Sequence, residues 1–150
     1  MTSANEIREN PGYQLWVVTN AWQRSVRRVL QPLGLTHVQF AVLASVARLC
    51  HAADVVTQAE VCRWGSLDAN MASDVVRSLE SRGLLVRLDH PTDRRAHRLE
   101  LTEAGQELFA TARAAILPVK EAFFAPLGAD GKQLAAMLEK LAKAADAEGR

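Results

Sequence analysis

The run from Thr57 to Leu101 leaves this chain few ways to fold. Thr57 and Glu60 stand three residues apart, the spacing at which a threonine caps a helix and a glutamate returns the bond to the cap. The helix so opened is short, because Gly65 follows and makes a turn. Asp68 caps the next helix, whose apolar face reads as Met71, Val75, Val76 and Leu79 and which Gly83 closes. Two alternating runs then follow, Leu84 to Leu88 and His97 to Leu101, with turn formers between them, which predicts two antiparallel strands. A short helix, a glycine turn, a second helix and a hairpin is the order of a winged helix-turn-helix.

The flanks are helical. Leu15, Val18, Trp22, Val26 and Val29 recur at steps of three or four between Tyr13 and Leu30, and Pro32 with Gly34 ends that helix. Thr36 and Gln39 form a second capping box, opening a helix with the stripe Phe40, Leu43, Ala47 and Cys50. Thr102 caps a long stretch that Pro118 is expected to interrupt, and Asp130 with Gln133 is expected to open a last helix carrying Leu134, Met137, Leu138 and Leu141. The prediction is a mainly α protein of six helices with a small β-hairpin wing. Its 150 residues, 49% of them apolar, make one domain with a sizeable core. The first and last stripes lie at opposite ends of the chain, and a small middle lobe cannot cover both. A homodimer, joined through residues 12–34 and 102–147 around a lobe at 36–101, is the expected arrangement.

Several classes are excluded or disfavoured. The net charge of +1 demands no acidic partner, so any affinity for nucleic acid comes from a local patch. No stretch reaches the roughly 18 consecutive apolar residues of a membrane helix, and the N-terminus lacks the basic and apolar regions of a signal peptide. Cys50 and Cys62 are the only cysteines and form no CxxC pair, which predicts a reduced, cytoplasmic protein. Both fall on helix faces that read as buried, where cysteine is an inert small hydrophobe; the other reading is a redox-sensing thiol, which needs an electropositive, accessible setting. His37, His51, His90 and His97 are dispersed without metal-ligand spacing. There is no phosphate loop, nucleophile elbow or catalytic carboxylate pair. No enzyme activity, cofactor or metal is expected.

Opposite the apolar face of the fourth helix stand Asn70, Ser73, Asp74 and Arg77. Asparagine pairs with adenine, arginine with guanine, and aspartate accepts from the cytosine amino group; the same residues also fit a solvated face. The hairpin separates the two readings. From Arg82 to Arg98 the chain holds five arginines against two aspartates, and no lysine. Arg94 and Arg95 sit at the tip, where they can enter the narrow, negative minor groove. Asp93 stands close enough to fix one guanidinium by a charge-assisted pair, and Pro91 stiffens the approach. A solvated hairpin with incidental ion pairs accounts for the charge but not for the preference for arginine. A protein-binding wing would expose apolar anchors instead.

The stretch "TQAEVCRWGSLDANMASDVVRSLESRGLLVRLDHPTDRRAHRLELTEAG" (57–105) resembles the MarR family of winged helix-turn-helix regulators. Its most specific part is "DRRAHRLELTEAG", an Asp-x-Arg followed by Leu-Thr-x-x-Gly, and "SLESRGLLVR" also matches. The order of helices and wing extends the resemblance over nearly the whole chain. It implies a transcriptional repressor that is an intertwined homodimer, its first and last helices entwined, on a palindromic operator in double-stranded DNA. Arg95 would enter the minor groove with Asp93 orienting it, Arg94 would contact phosphate, and the fourth helix would read the major groove. It further implies release by a small aromatic or phenolic compound. The site for such a compound is expected among Trp16, Trp22, Phe40 and Phe109. Two features depart from the family: Asp74 is acidic where relatives carry basic or neutral residues, and the N-terminal cysteine of the oxidation-sensing branch is missing.

Overall fold

A computed structural model describes residues 4–53 and 55–148. Its elements are α1 (Ala4–Glu9), α2 (Pro11–Leu30), α3 (His37–Cys50), α4 (Gln58–Gly65), α5 (Ala69–Ser81), β1 (Leu85–Asp89), β2 (His97–Leu101), α6 (Glu103–Phe124) and α7 (Gly131–Glu148). Short 3-10 turns fill Gln31–Leu33 and Ala125–Asp130. The six predicted helices are α2 to α7, and the hairpin is a two-stranded antiparallel sheet. The brief α1 precedes them. Asn10 separates it from α2, its side-chain oxygen accepting from the Gly12 and Tyr13 amides at 2.8 and 3.1 Å, with Pro11 at the first helical position.

The caps form as the spacing requires. Thr36 with Gln39 and Thr57 with Glu60 make reciprocal capping boxes, and Asp68 accepts from the Asn70 and Met71 amides. The Thr57 amide holds the Glu60 carboxyl below the usual carboxylate range.

Four local expectations are corrected. Gly65 is the last residue of α4, and it is Ser66 that takes the left-handed conformation, φ 49°. Met71 is 49% exposed, and the buried face of α5 is Ala72, Val76 and Leu79. Pro118 does not interrupt α6; it and Ala114, whose carbonyl loses its helical donor, are both exposed, so that carbonyl is open to solvent and the loss costs less than it would in a core. Asp130 ends the 3-10 turn before α7 instead of capping it, because that turn is closed by the Gly131 amide on the Gly128 carbonyl.

The chain divides into two compact units, one ending at Ile116 and one beginning at Leu117. The first has a continuous core drawn from every element it contains beyond α1. Val26 and Leu30 from α2, Leu43 and Val46 from α3, Val61 from α4, Val76 and Leu79 from α5, Leu85 and Leu99 from the hairpin, and Ala112 from α6 are all fully buried. The strands pair in register, Leu85 with Leu101 and Asp89 with His97. The segment before α4 joins their edge: the Leu99 amide donates to the Val56 carbonyl at 2.7 Å and Thr57 bridges Arg98. Hairpin and helix-turn-helix are thereby one piece.

The base of the wing is clamped to α6. The Thr102 hydroxyl donates to the Gly83 carbonyl at 2.6 Å and accepts from the Gly105 amide at 3.0 Å. A Cβ on Gly105 would lie 1.8 Å from the Leu84 carbonyl oxygen, so only glycine allows this approach.

In the second unit Leu134 is half-buried, while Met137, Leu138 and Leu141 are 52%, 40% and 61% exposed. The N-terminal half of α2 in the first unit is also uncovered, with Leu15, Trp16 and Val18 exposed. Two apolar stripes therefore face outward from a single chain.

Gly105→Ala is expected to destabilise the protein by roughly 3 kcal/mol, because backbone has to move to admit the methyl. Urea unfolding checks this: the midpoint should fall with an unchanged slope. An unchanged midpoint contradicts the close approach.

Candidate nucleic-acid interface

The second helix of the helix-turn-helix, α5, is tied to its surroundings on three sides. Gln58 of α4 donates to the Ser73 hydroxyl at 2.8 Å, and Gln39 of α3 donates to Ser78 at 3.2 Å. At its C-terminal end Arg82 donates to the Gly34 carbonyl at 2.8 Å, and Glu80 pairs with Arg87 of β1 at 3.2 Å. These bonds orient the opposite face outward.

That face carries Asn70, Asp74 and Arg77, all exposed, with Ser73 at its edge. Ser73 is engaged by Gln58 and is the least available of the four predicted residues. Asp74 and Arg77 form an ion pair at 3.1 Å, with side chains 77% and 63% exposed. Such a pair contributes about 0–1 kcal/mol, little enough for a base or phosphate to displace it. Met71 occupies the other edge of the exposed face. Sequence reasoning missed it, because a methionine beside a valine run reads as core.

The wing tip is built by its own side chains. The His90 Nδ1 accepts from the Thr92 and Asp93 amides at 3.2 and 3.0 Å, so this nitrogen carries no proton and the ring folds onto the loop. The Asp93 carboxylate accepts from the Arg95 amide at 2.9 Å, and the Asp93 carbonyl accepts from Ala96 at 3.2 Å. Here the expectation is corrected: Asp93 fixes the backbone at Arg95, not its guanidinium, because an aspartate two residues ahead closes an Asx turn more readily than it reaches a long side chain.

Of the five arginines, Arg87 pairs with Glu80, Arg98 pairs with Glu100 at 3.0 Å and Arg82 is bound to a carbonyl. Arg94 and Arg95 are exposed, and no ion pair joins either to a described residue. The positive charge of the region is thus delivered at the tip of a stapled loop. A helix face of short polar groups and two uncommitted guanidinium forks, held on one rigid lobe, can engage a polyanion at two points of different width.

The four aromatic residues expected at an effector site do not all meet. Phe40 and Phe109 stack at 5.8 Å, and with Trp22 they pack partly buried against the core. Trp16 is 66% exposed and lies by Tyr13, 6.4 Å between ring centres, because α2 carries it past the end of the core. Cys50 is exposed and Cys62 half-buried, which corrects the reading of both as buried. Cys50 is the last residue of α3, where the helix runs out of the core. Partial burial pushes both thiols up, Cys50 further by the nearby Glu100 charge and Cys62 by Asp68, the opposite of what a sensing thiolate needs. No cluster of three or more metal-ligating side chains occurs among the described residues. No single described helix is long and apolar enough to cross a membrane.

Residues 33–96 match the model of the MarR family. The uncharacterized HTH-type transcriptional regulator YdcH of Bacillus subtilis (strain 168) is 38% identical over 116 residues, 77% of this chain and 79% of that protein. Among solved structures, the transcriptional repressor CouR bound to a 23-mer DNA duplex superposes with TM-score 0.79 at 28% identity, covering 97% of this chain and 99% of that one. A mutant MarR from E. coli complexed with operator DNA gives TM-score 0.79 at 26% identity over 93% and 99% of the two chains. The PcaV regulator from Streptomyces coelicolor, in complex with its natural ligand, gives 0.76 at 26% identity over 99% of both.

The raised thiols set a pH dependence. Alkylation by iodoacetamide should be slow for both cysteines at neutral pH and should accelerate only above the ordinary cysteine range, since the thiolate is the nucleophile. Fast labelling of Cys50 at pH 7 would contradict its assignment as an inert thiol.

Proposed function

We propose that this chain, which belongs to the MarR family of winged helix-turn-helix transcriptional regulators, acts as a homodimeric repressor on an inverted-repeat operator in double-stranded DNA. The observation that carries this reading is the pair Arg94 and Arg95, exposed and joined by no ion pair to a described residue, on a wing tip whose backbone is pinned by His90 and Asp93. The wing enters the minor groove, where Arg95 discriminates by groove width, while Arg94 is directed to phosphate. Helix α5 lies in the major groove, presenting Asn70, Asp74 and Arg77 to base edges with Ser73 at the margin. Met71 adds an apolar contact of the kind a thymine methyl accepts.

Residues 36–101 form the DNA-binding lobe, and residues 12–34 and 102–147 dimerise. The support for the dimer is the uncovered apolar surface on α2 and α7, which a second chain removes from water at about 25 cal/mol per Å². Two such lobes related by a two-fold axis meet successive major grooves about 34–36 Å apart. A small aromatic effector releases the DNA by stacking at the wall that Trp22, Phe40 and Phe109 provide; that a similar regulator, PcaV, is solved in complex with its natural ligand supports a bound small molecule.

Three measurements test this. Light scattering should give twice the 16.4 kDa of one chain at micromolar concentration, and a monomer would remove the two-fold argument. In gel-shift titrations Arg95→Ala should weaken operator binding by about 1–3 kcal/mol, whereas Arg94→Ala should weaken all sequences alike and lower the salt slope by about 1. Unchanged affinity in Arg95→Ala would take the wing out of the mechanism.

A further inference from the structure

Asp74 is the residue of α5 that contact with a polyanion leaves unexplained. It is an acid on the outward face, beside Asn70 and Arg77, where phosphate would repel it. The geometry of its partner gives it a use. Arg77 donates from Nε to the Ser73 carbonyl at 3.3 Å and from Nη2 to the Asp74 carboxylate at 3.1 Å. Ser73 is itself held by Gln58 at 2.8 Å. The guanidinium therefore lies along the helix with its plane set by two acceptors.

Both bonds leave from one side of the guanidinium, the edge shared by Nε and Nη2. Its end, where Nη1 and Nη2 carry parallel N–H groups, stays available as a second fork. The Asp74 carboxylate likewise keeps Oδ2 after Oδ1 is taken. A base can displace so weak a pair, but it does not have to. Intact, the pair offers two donors and an acceptor side by side.

One base pair complements such a row. Across the major groove a G·C pair presents the N7 and O6 acceptors of guanine and then the N4 donor of cytosine. An A·T pair presents an acceptor, a donor and an acceptor, followed by the thymine methyl. It would set the adenine amino group against the guanidinium and thymine O4 against the carboxylate. Excluding water from the groove strengthens the match and the penalties alike.

We propose that Asp74 and Arg77 together read one G·C pair in each half-site, Arg77 on guanine O6 and N7 and Asp74 on the amino group of the paired cytosine. Asp74 then acts as much by rejection as by attraction. As an anion near phosphate it weakens binding to every duplex, and least where a cytosine amino group meets it. This rests on α5 lying in the major groove, as in the proposed function, and the two fail differently.

The test is selection of duplexes from a randomised pool by the full-length protein, repeated with Asp74→Ala and Arg77→Ala. Both side chains are mostly exposed, so neither replacement touches the core. Wild type should select an invariant G·C pair at two positions related by the dyad. Asp74→Ala should prefer G·C over A·T there about tenfold less strongly, while binding unrelated duplexes as tightly as wild type or more so. A merely structural side chain would not lower discrimination while sparing non-specific affinity. Replacing that guanine by 7-deazaguanine, which lacks the N7 acceptor, should weaken wild type about tenfold and leave Arg77→Ala unchanged. An operator on which Asp74→Ala keeps the full G·C preference overturns the proposal, as does a wild type indifferent to 7-deazaguanine. Failure to select any sequence would overturn the DNA contact of α5, and the paired reading with it.

Discussion

The approach of the Leu84 carbonyl to Gly105 sets where α5, the hairpin and the start of α6 can stand. A methyl group at residue 105 would sit 1.8 Å from that oxygen, and the Thr102 hydroxyl locks the contact by bonding both the Gly83 carbonyl and the Gly105 amide. Leu84 follows the last turn of α5 and begins the wing, and Gly105 lies in the first turn of α6. One backbone contact therefore joins α5, the hairpin and α6. Because cores are close-packed, a displacement there moves all three together. This is why the Leu-Thr-x-x-Gly pattern has a physical meaning beyond resemblance: threonine supplies a donor and an acceptor on one oxygen, and glycine supplies room.

Electrostatics then does its work by cancellation. The chain has a net charge of only +1, and three of the five arginines between 82 and 98 are engaged by Gly34, Glu80 and Glu100. Those contacts are structural: they hold α5 against the α2–α3 turn, α5 against β1, and one guanidinium plane within β2. What remains uncommitted is Arg94 and Arg95, at the point of the molecule that projects furthest along the hairpin. The Asp74–Arg77 pair on the helix face is of another kind. Both side chains are mostly exposed, so the pair is weak in water and either member can exchange its partner for a base edge. A wing with two cations uncommitted among the described residues and a helix with one exchangeable pair are two different places at which a polyanion can be met.

What was legible in the sequence is what depends on neighbours in the chain. The capping boxes at Thr36 and Thr57, the Asp68 cap and the glycine after α5 involve residues two or three apart, and they fix the order of elements. Periodicity also located the outward face of α5. It could not decide between Met71 and Ala72 for the core, because a small alanine gives little apolar signal although it is the one buried. The left-handed Ser66 was hidden by the glycine beside it. Asp93 was read as an arginine clamp, since sequence distance does not distinguish a backbone amide from a guanidinium. By sequence Arg98 belongs with the wing cations; its Nε is buried where the segment before α4 joins β2 through the Leu99 amide and the Val56 carbonyl, and no local pattern encodes that meeting.

The proposed function requires two lobes that grip DNA, each through a helix in the major groove and an arginine tip in the adjacent minor groove. Hydroxyl-radical footprinting reads the minor groove directly, on a duplex selected from a randomised pool by the full-length protein. It should give two half-sites one helical turn apart, each flanked on its outer side by a minor-groove protection that disappears when Arg94 and Arg95 are both replaced by alanine. A footprint confined to a single half-site, or flanking protections that survive the double replacement, would contradict it.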